Sequence, residues 1–111
     1  MLNAFLPSLT GTTKLVAASS STGVAATQVC TGSEGGMMLS NPSTVTIYAA
    51  IGSSSVAAGQ PTTGTPAAGM AIPAGQMRSV FIPGNGNGWV SAVTSAGSAA
   101  PGLFATPGFG L

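Results

Sequence analysis

Hydroxyls aside, the chemistry-bearing side chains of this 111-residue chain are Lys14, Glu34, Arg78, Tyr48 and Cys30. General acid–base catalysis needs a titratable group poised near neutral pH, most often histidine or a carboxylate. Histidine and aspartate are absent, and Glu34 is the lone carboxylate side chain. Lys14 with one of the many serines would make a Ser–Lys nucleophile pair, but no spacing in the chain supports it. A metal site needs several His, Cys or carboxylate ligands, and a phosphate site needs a basic cluster or a glycine cradle with its lysine. Neither can be built from this set, so the expectation is a protein that is not an enzyme and takes no cofactor. Its function is expected to lie in surface and assembly.

Other constellations read as structure. Gly84-Asn-Gly-Asn-Gly88 lacks the spacing and the following helix of a dinucleotide fingerprint, and reads as a turn. Glu34 reads as a solvated loop acid rather than a partner of Arg78. Trp89 and Tyr48 could stack on a sugar, but a lone aromatic in a β-domain is more often a core or interface anchor. Cys30 has no second cysteine to pair with and reads as a small buried hydrophobe. An intermolecular disulfide is the sharper alternative.

The elements that must carry these residues are strands. No window sustains apolar residues at helical spacing without Gly, Pro or a Ser-Thr cluster intervening. Short Val/Ile/Thr-rich runs bounded by turn residues recur instead. Thr13–Ala18 and Val24–Cys30 read as the first two strands, and Met37–Asn41 as a short third. Thr44–Ile51 alternates cleanly, with Val45, Ile47, Ala49 and Ile51 on one face and Thr44, Thr46 and Tyr48 on the other. Residues 52–69 read as a long loop with one short strand near Ser55-Val-Ala57. Gly69–Pro73 leads into a turn at Ala74-Gly75. Met77–Ile82, Trp89–Thr94 and Ser98–Phe104 complete the set. About seven strands at this spacing predict an all-β fold, a single small β-sandwich or jelly-roll-like domain. The expected layout is an N-terminal arm over 1–12, the sandwich over 13–104 and a C-terminal tail over 105–111.

Composition narrows the partners. Charged residues are 3% of the chain and the net charge is +1, against about a quarter charged in ordinary soluble domains. Such a surface is hydrated but barely self-repelling, which suits lasting contact with other protein. Two isolated cations cannot form a basic stripe, so nucleic acid is not expected as a partner. No run of about 18 apolar residues exists, so membrane insertion is not expected either. The opening Met-Leu-Asn-Ala-Phe-Leu-Pro lacks the charged and long apolar regions of a signal peptide, so export by that route is not indicated.

Both ends are apolar and uncharged: Leu2, Phe5, Leu6 and Leu9 at one, Leu103, Phe104, Phe109 and Leu111 at the other. They either seal the sandwich or dock on a neighbour. Adjacent Met37 and Met38 must point to opposite faces of their strand, which leaves one for an adaptable contact. The candidate contact residues are therefore Leu2, Phe5, Leu6, Leu9, Met38, Phe104, Phe109 and Leu111.

From Gly36 onward the chain resembles virion structural proteins of tailed bacteriophages. The resemblance rests on Thr44-Val-Thr-Ile-Tyr48, on Ala71-Ile-Pro-Ala-Gly-Gln76 with its strand to Ile82, and on Trp89-Val-Ser-Ala-Val-Thr94. Ser95-Ala-Gly97 and the closing Thr106-Pro-Gly-Phe-Gly-Leu111 extend it over roughly two-thirds of the chain. It is most similar to the small capsid decoration, or staple, proteins of short-tailed phages of the Salmonella epsilon-fifteen type. The resemblance implies a β-sandwich-like module, made in the host bacterial cytoplasm and bound to the outer surface of an icosahedral capsid. There it would bridge adjacent major capsid subunits, working as a homodimer and taking no small molecule. The alternative is a tail or fibre-base component that binds a receptor or glycan, for which Trp89 and Tyr48 would be the sugar-stacking residues.

Overall fold

The computed structural model describes residues 6–7, 13–16, 18–19, 26–32, 35–59, 69–82, 84–94 and 102–109. Among them the fold is all-β, a sandwich of two sheets without a helix. In chain order the strands are β1 (Leu6–Pro7), β2 (Lys14–Val16), β3 (Ala18–Ser19), β4 (Thr27–Gln28), β5 (Gly36–Ser40), β6 (Ile47–Gly52), β7 (Met70–Ile72), β8 (Met77–Phe81), β9 (Trp89–Thr94) and β10 (Leu103–Phe109). The first sheet runs β1-β10-β5-β8, and β2 shares with β1 the edge of β10 that faces away from β5. The second runs β3-β9-β6-β7, with β4 beside β3 along β9. All pairings are antiparallel except β3 with β9.

The core forms where alternate residues of both sheets face inward. Met37, Leu39, Leu103, Ala105 and Val16 of the first sheet meet Ile47, Ala49, Ile72, Val90 and Ala92 of the second. Register explains the match: Leu39 pairs with Ala105, and Ala49 pairs with Ala92, so each inward row is continuous across strands. Met37 is fully buried while Met38 is half-exposed on the opposite face, as their adjacency requires.

Several expected elements differ. The first strand is two: β2 belongs to one sheet and β3 to the other, so the chain changes sheets within the apolar run. Of the second, Val24 and Ala25 lie outside the described residues and Thr27–Gln28 is in the ladder; Val29 and Cys30 leave it to hydrogen-bond the Gly88 carbonyl. Thr44, Val45 and Thr46 do not start β6, because the Asn41 side chain bends this segment into a turn. Asn41 Oδ1 accepts from the Ser43 amide at 3.0 Å, and Nδ2 donates to the Val45 carbonyl at 2.8 Å. Ser55-Val-Ala57 is not a strand; Val56 N donates to the Ser53 carbonyl at 2.9 Å, closing a turn. Met70–Ile72 is a strand that the proline and glycine around it disguised.

Among the described residues the last strand is Leu103–Phe109; residues 98–101 of the expected Ser98–Phe104 strand lie outside them, and residues 105–109, expected in a tail, are part of the sheet. Pro107 is buried within it. Its tolerance follows from alternation. Asn41 N donates to Gln76 O, and Ile82 N donates to Gly35 O, so odd-numbered residues along β5 aim their backbone groups at β8. The even ones face β10, which leaves Pro107 aimed away from β5, in the gap between β2 (opposite 103–105) and β1 (opposite 108–109). Among the described residues no strand lies opposite it on that side to call for a donor.

The Gly84–Asn87 turn is present, closed by Asn87 N on the Gly84 carbonyl at 3.1 Å, with Gly86 at φ +84° in its third position. It carries the chain from one sheet to the other, from β8 to β9.

Candidate docking face

The two sheets differ on their outward sides. On the second sheet, segment 53–59 folds over the surface: Ala58 is buried against Ala50 and Val93, with Tyr48 and Val56 packed around them. The Ala58 amide donates to Ser91 Oγ at 2.9 Å, anchoring that cover. The outward side of the first sheet is bare among the described residues. Register lines up Leu15, Phe104, Ser40 and Met77 in one row across four strands. The next row holds Thr106, Met38 and Ser79. Phe81 stands in a third row beside Gly36 and Gly108, which have no side chain to cover it.

Leu15 is 52% exposed, Phe104 42%, Met77 60% and Phe81 77%. At on the order of 200 Å² for a whole large residue, these four present roughly 450 Å² of apolar surface. That is within the range of the largest apolar patch on a typical monomer, which is often functional. Two pairs of side chains on the face bond to each other. Thr13 and Thr106 share a hydroxyl–hydroxyl hydrogen bond of 2.7 Å, and Ser79 Oγ donates to Met38 Sδ at 3.6 Å. The Thr13 and Thr106 hydroxyls therefore cost little to dehydrate.

Of the residues expected to make contacts, Phe104 and Met38 lie on this face. Leu6 and Phe109 are placed opposite each other in the β1–β10 pairing. Leu2, Phe5, Leu9 and Leu111 fall outside the described residues. Leu15, Met77 and Phe81 went unrecognised in the sequence. The signal was there for the last two: Met77-Arg-Ser-Val-Phe-Ile82 is apolar on both alternating faces, whereas a half-buried strand needs only one.

The chemistry-bearing residues are not drawn together. Lys14 and Arg78 sit at opposite ends of one row, Lys14–Ala105–Leu39–Arg78, three strand spacings or about 14 Å apart. Tyr48 lies on β6 in the other sheet, and Cys30 beside Gly88 at the inter-sheet connection. Glu34 is outside the described residues. Tyr48 and Trp89 share the outward side of the second sheet, but Tyr48 pairs with Val93, four residues or about 13 Å along β9 from Trp89. Segment 53–59 covers Ala50 and reaches Ser91 between them. They do not form one stacking platform.

Comparison with known protein families, with curated proteins and with solved structures gives no match.

Proposed function

We propose that this protein is a non-enzymatic virion component that binds the outer surface of a phage capsid and staples adjacent major capsid subunits, stabilising the shell. The observation that carries this reading is the outward side of the first sheet, which among the described residues carries no charge and exposes Phe81, Met77, Leu15 and Phe104. The resemblance of the strand and turn patterns from Gly36 onward to phage decoration proteins supports it.

Energetics favour many linked contacts over one tight site. Covering roughly 450 Å² at about 25 cal/mol per Å² gives a gross gain of about 11 kcal/mol. Association alone costs about 4–15 kcal/mol. A single face therefore binds weakly and gains hold when it spans two subunits. A homodimer at a two-fold position of the shell would present the face twice and gain further through effective concentration.

The test is to mix the purified protein with phage heads that lack it and to image them by cryo-electron microscopy. Regular added density across the lattice, with the first sheet turned to the shell, is the expected result. Density confined to the tail vertex would transfer the protein to the tail, and bare heads would end the capsid reading.

A further inference from the structure

Among the described residues β8 forms one edge of the first sheet, opposite β1 and β2. Five residues long, it contains no proline, and four of the five are exposed. Because Gln76 O and Ile82 N bond toward β5, the residues between alternate: Arg78 and Val80 also bond toward β5, whereas Met77, Ser79 and Phe81 aim their N–H and C=O groups outward. An edge of this kind is a template for another strand.

It is also self-complementary. An antiparallel pairing of two copies centred on Ser79 sets Ser79 against Ser79 and Met77 of each copy against Phe81 of the other. All the outward-aimed backbone groups would then meet partners, and sulfur–aromatic contacts would form on the apolar face. With a net charge of +1, long-range repulsion does little to prevent this.

One of the chain's three charged side chains stands in the middle of this edge. Arg78 pairs with Leu39, whose side chain is in the core, so Arg78 projects from the core side of the strand. A strand added to β8 would place Val80 of the other copy beside it and strip water from the guanidinium. The side chain also folds back along the edge, and its Nη1 donates to the Met77 carbonyl at 2.9 Å. That carbonyl is one of the outward-aimed acceptors a second strand would need.

We propose that Arg78 is an edge guard: it keeps β8 from pairing with a second copy of this chain by holding a charge and a competing donor at the pairing surface. Any homodimer of the protein then forms through other surfaces.

The experiment is disulfide trapping in solution, without capsids. Ser79→Cys in a Cys30→Ser background puts a thiol on the two-fold of the forbidden pairing, where paired Cα atoms lie about 5.5 Å apart and a disulfide is feasible. With Arg78 intact, oxidation should leave the protein uncrosslinked. Adding Arg78→Val should raise the yield of crosslinked dimer at least tenfold, while Arg78→Lys, which keeps the charge, should stay low. Lys14→Val removes the same net charge elsewhere and should also stay low. Circular dichroism confirms that each variant is folded; valine is a good strand residue at an exposed site. Equal crosslinking with and without Arg78, or an equal gain from Lys14→Val, overturns the guard. Neither result bears on binding to the shell, which is measured separately.

Discussion

Asn41 Nδ2 donates to the Ile72 carbonyl at 2.8 Å, joining the end of β5 in one sheet to the end of β7 in the other. Asn41 is buried and its contacts fill its capacity. Nδ2 also reaches the Val45 carbonyl, and Oδ1 accepts from Ser43 N and Ser43 Oγ. Its backbone meets Gln76 O and Gly75 N in the β7–β8 turn. One side chain thus sets the corner at which four segments meet.

Asn41→Ala should therefore be among the most damaging single changes. It leaves the Ile72 carbonyl buried without this donor and frees the 43–45 turn, a loss of about 3 kcal/mol. Thermal denaturation should show a Tm lower by about 10 °C or more. An unchanged Tm would mean that the corner is held by the backbone alone.

Gly88→Ala tests the inter-sheet connection. A Cβ on Gly88 would collide with the Cys30 carbonyl oxygen, which belongs to backbone and cannot swing aside. The same approach carries the bonds from Val29 N (2.8 Å) and Cys30 N (3.3 Å) to the Gly88 carbonyl. A cost of about 3 kcal/mol is expected in urea unfolding. Gly86→Ala should cost about 1 kcal/mol, since it strains only the local φ.

Ser91→Ala removes the acceptor for the buried Ala58 amide. The expected loss is about 1–3 kcal/mol. Hydrogen exchange should localise it: the Ala58 amide should exchange faster while the β6–β9 ladder amides keep their protection. Uniform acceleration across the sheet would instead show that segment 53–59 is integral to the second sheet rather than a cover over it.

Phe81→Ser and Phe104→Ser address the docking face. Phe81 is 77% exposed, so its change should alter stability by less than about 0.5 kcal/mol, whereas Phe104, 42% exposed between Leu15 and Ser40, should lose about 1–2 kcal/mol. Attachment to heads lacking the protein should weaken by roughly tenfold or more for each, from lost apolar burial of about 1.5–3 kcal/mol. Because charge takes little part, raising NaCl from about 50 to about 500 mM should change wild-type attachment by less than about twofold. Release by moderate salt would count against an apolar contact.

The legible parts of this fold are those in which local pattern and tertiary role agree. Met37–Leu39 and Trp89–Thr94 carry β-rich runs bounded by turn residues, and both form strands. The glycine–asparagine turn was readable because Gly86 needs a conformation that side chains resist. The extent of β10 was not, since Thr106-Pro-Gly reads as a stop. Proline is tolerated there because its nitrogen is turned away from β5, and that is a property of the register with its neighbours. The β2–β3 switch was hidden for a similar reason: Leu15 and Val16 read as ordinary strand residues whichever sheet receives them. As for the face, the sequence pointed to Phe104 and Met38. Phe81 and Met77 stand in a run that is apolar on both alternating faces, and which face stays open is decided by the sheet that β8 joins.

β10 is the last strand in chain order and yet an interior one, bonded to β5 on one side and to β1 and β2 on the other. While the chain grows on the ribosome, the first sheet lacks the strand that joins its edge pieces to β5, and the inward faces of Met37 and Leu39 have no Ala105 or Pro107 beside them. Folding of this sheet must wait until residue 109 has left the exit tunnel. Such distant pairings form slowly. The nascent chain thus passes through an interval in which apolar strands lie open, and in that interval aggregation competes with folding.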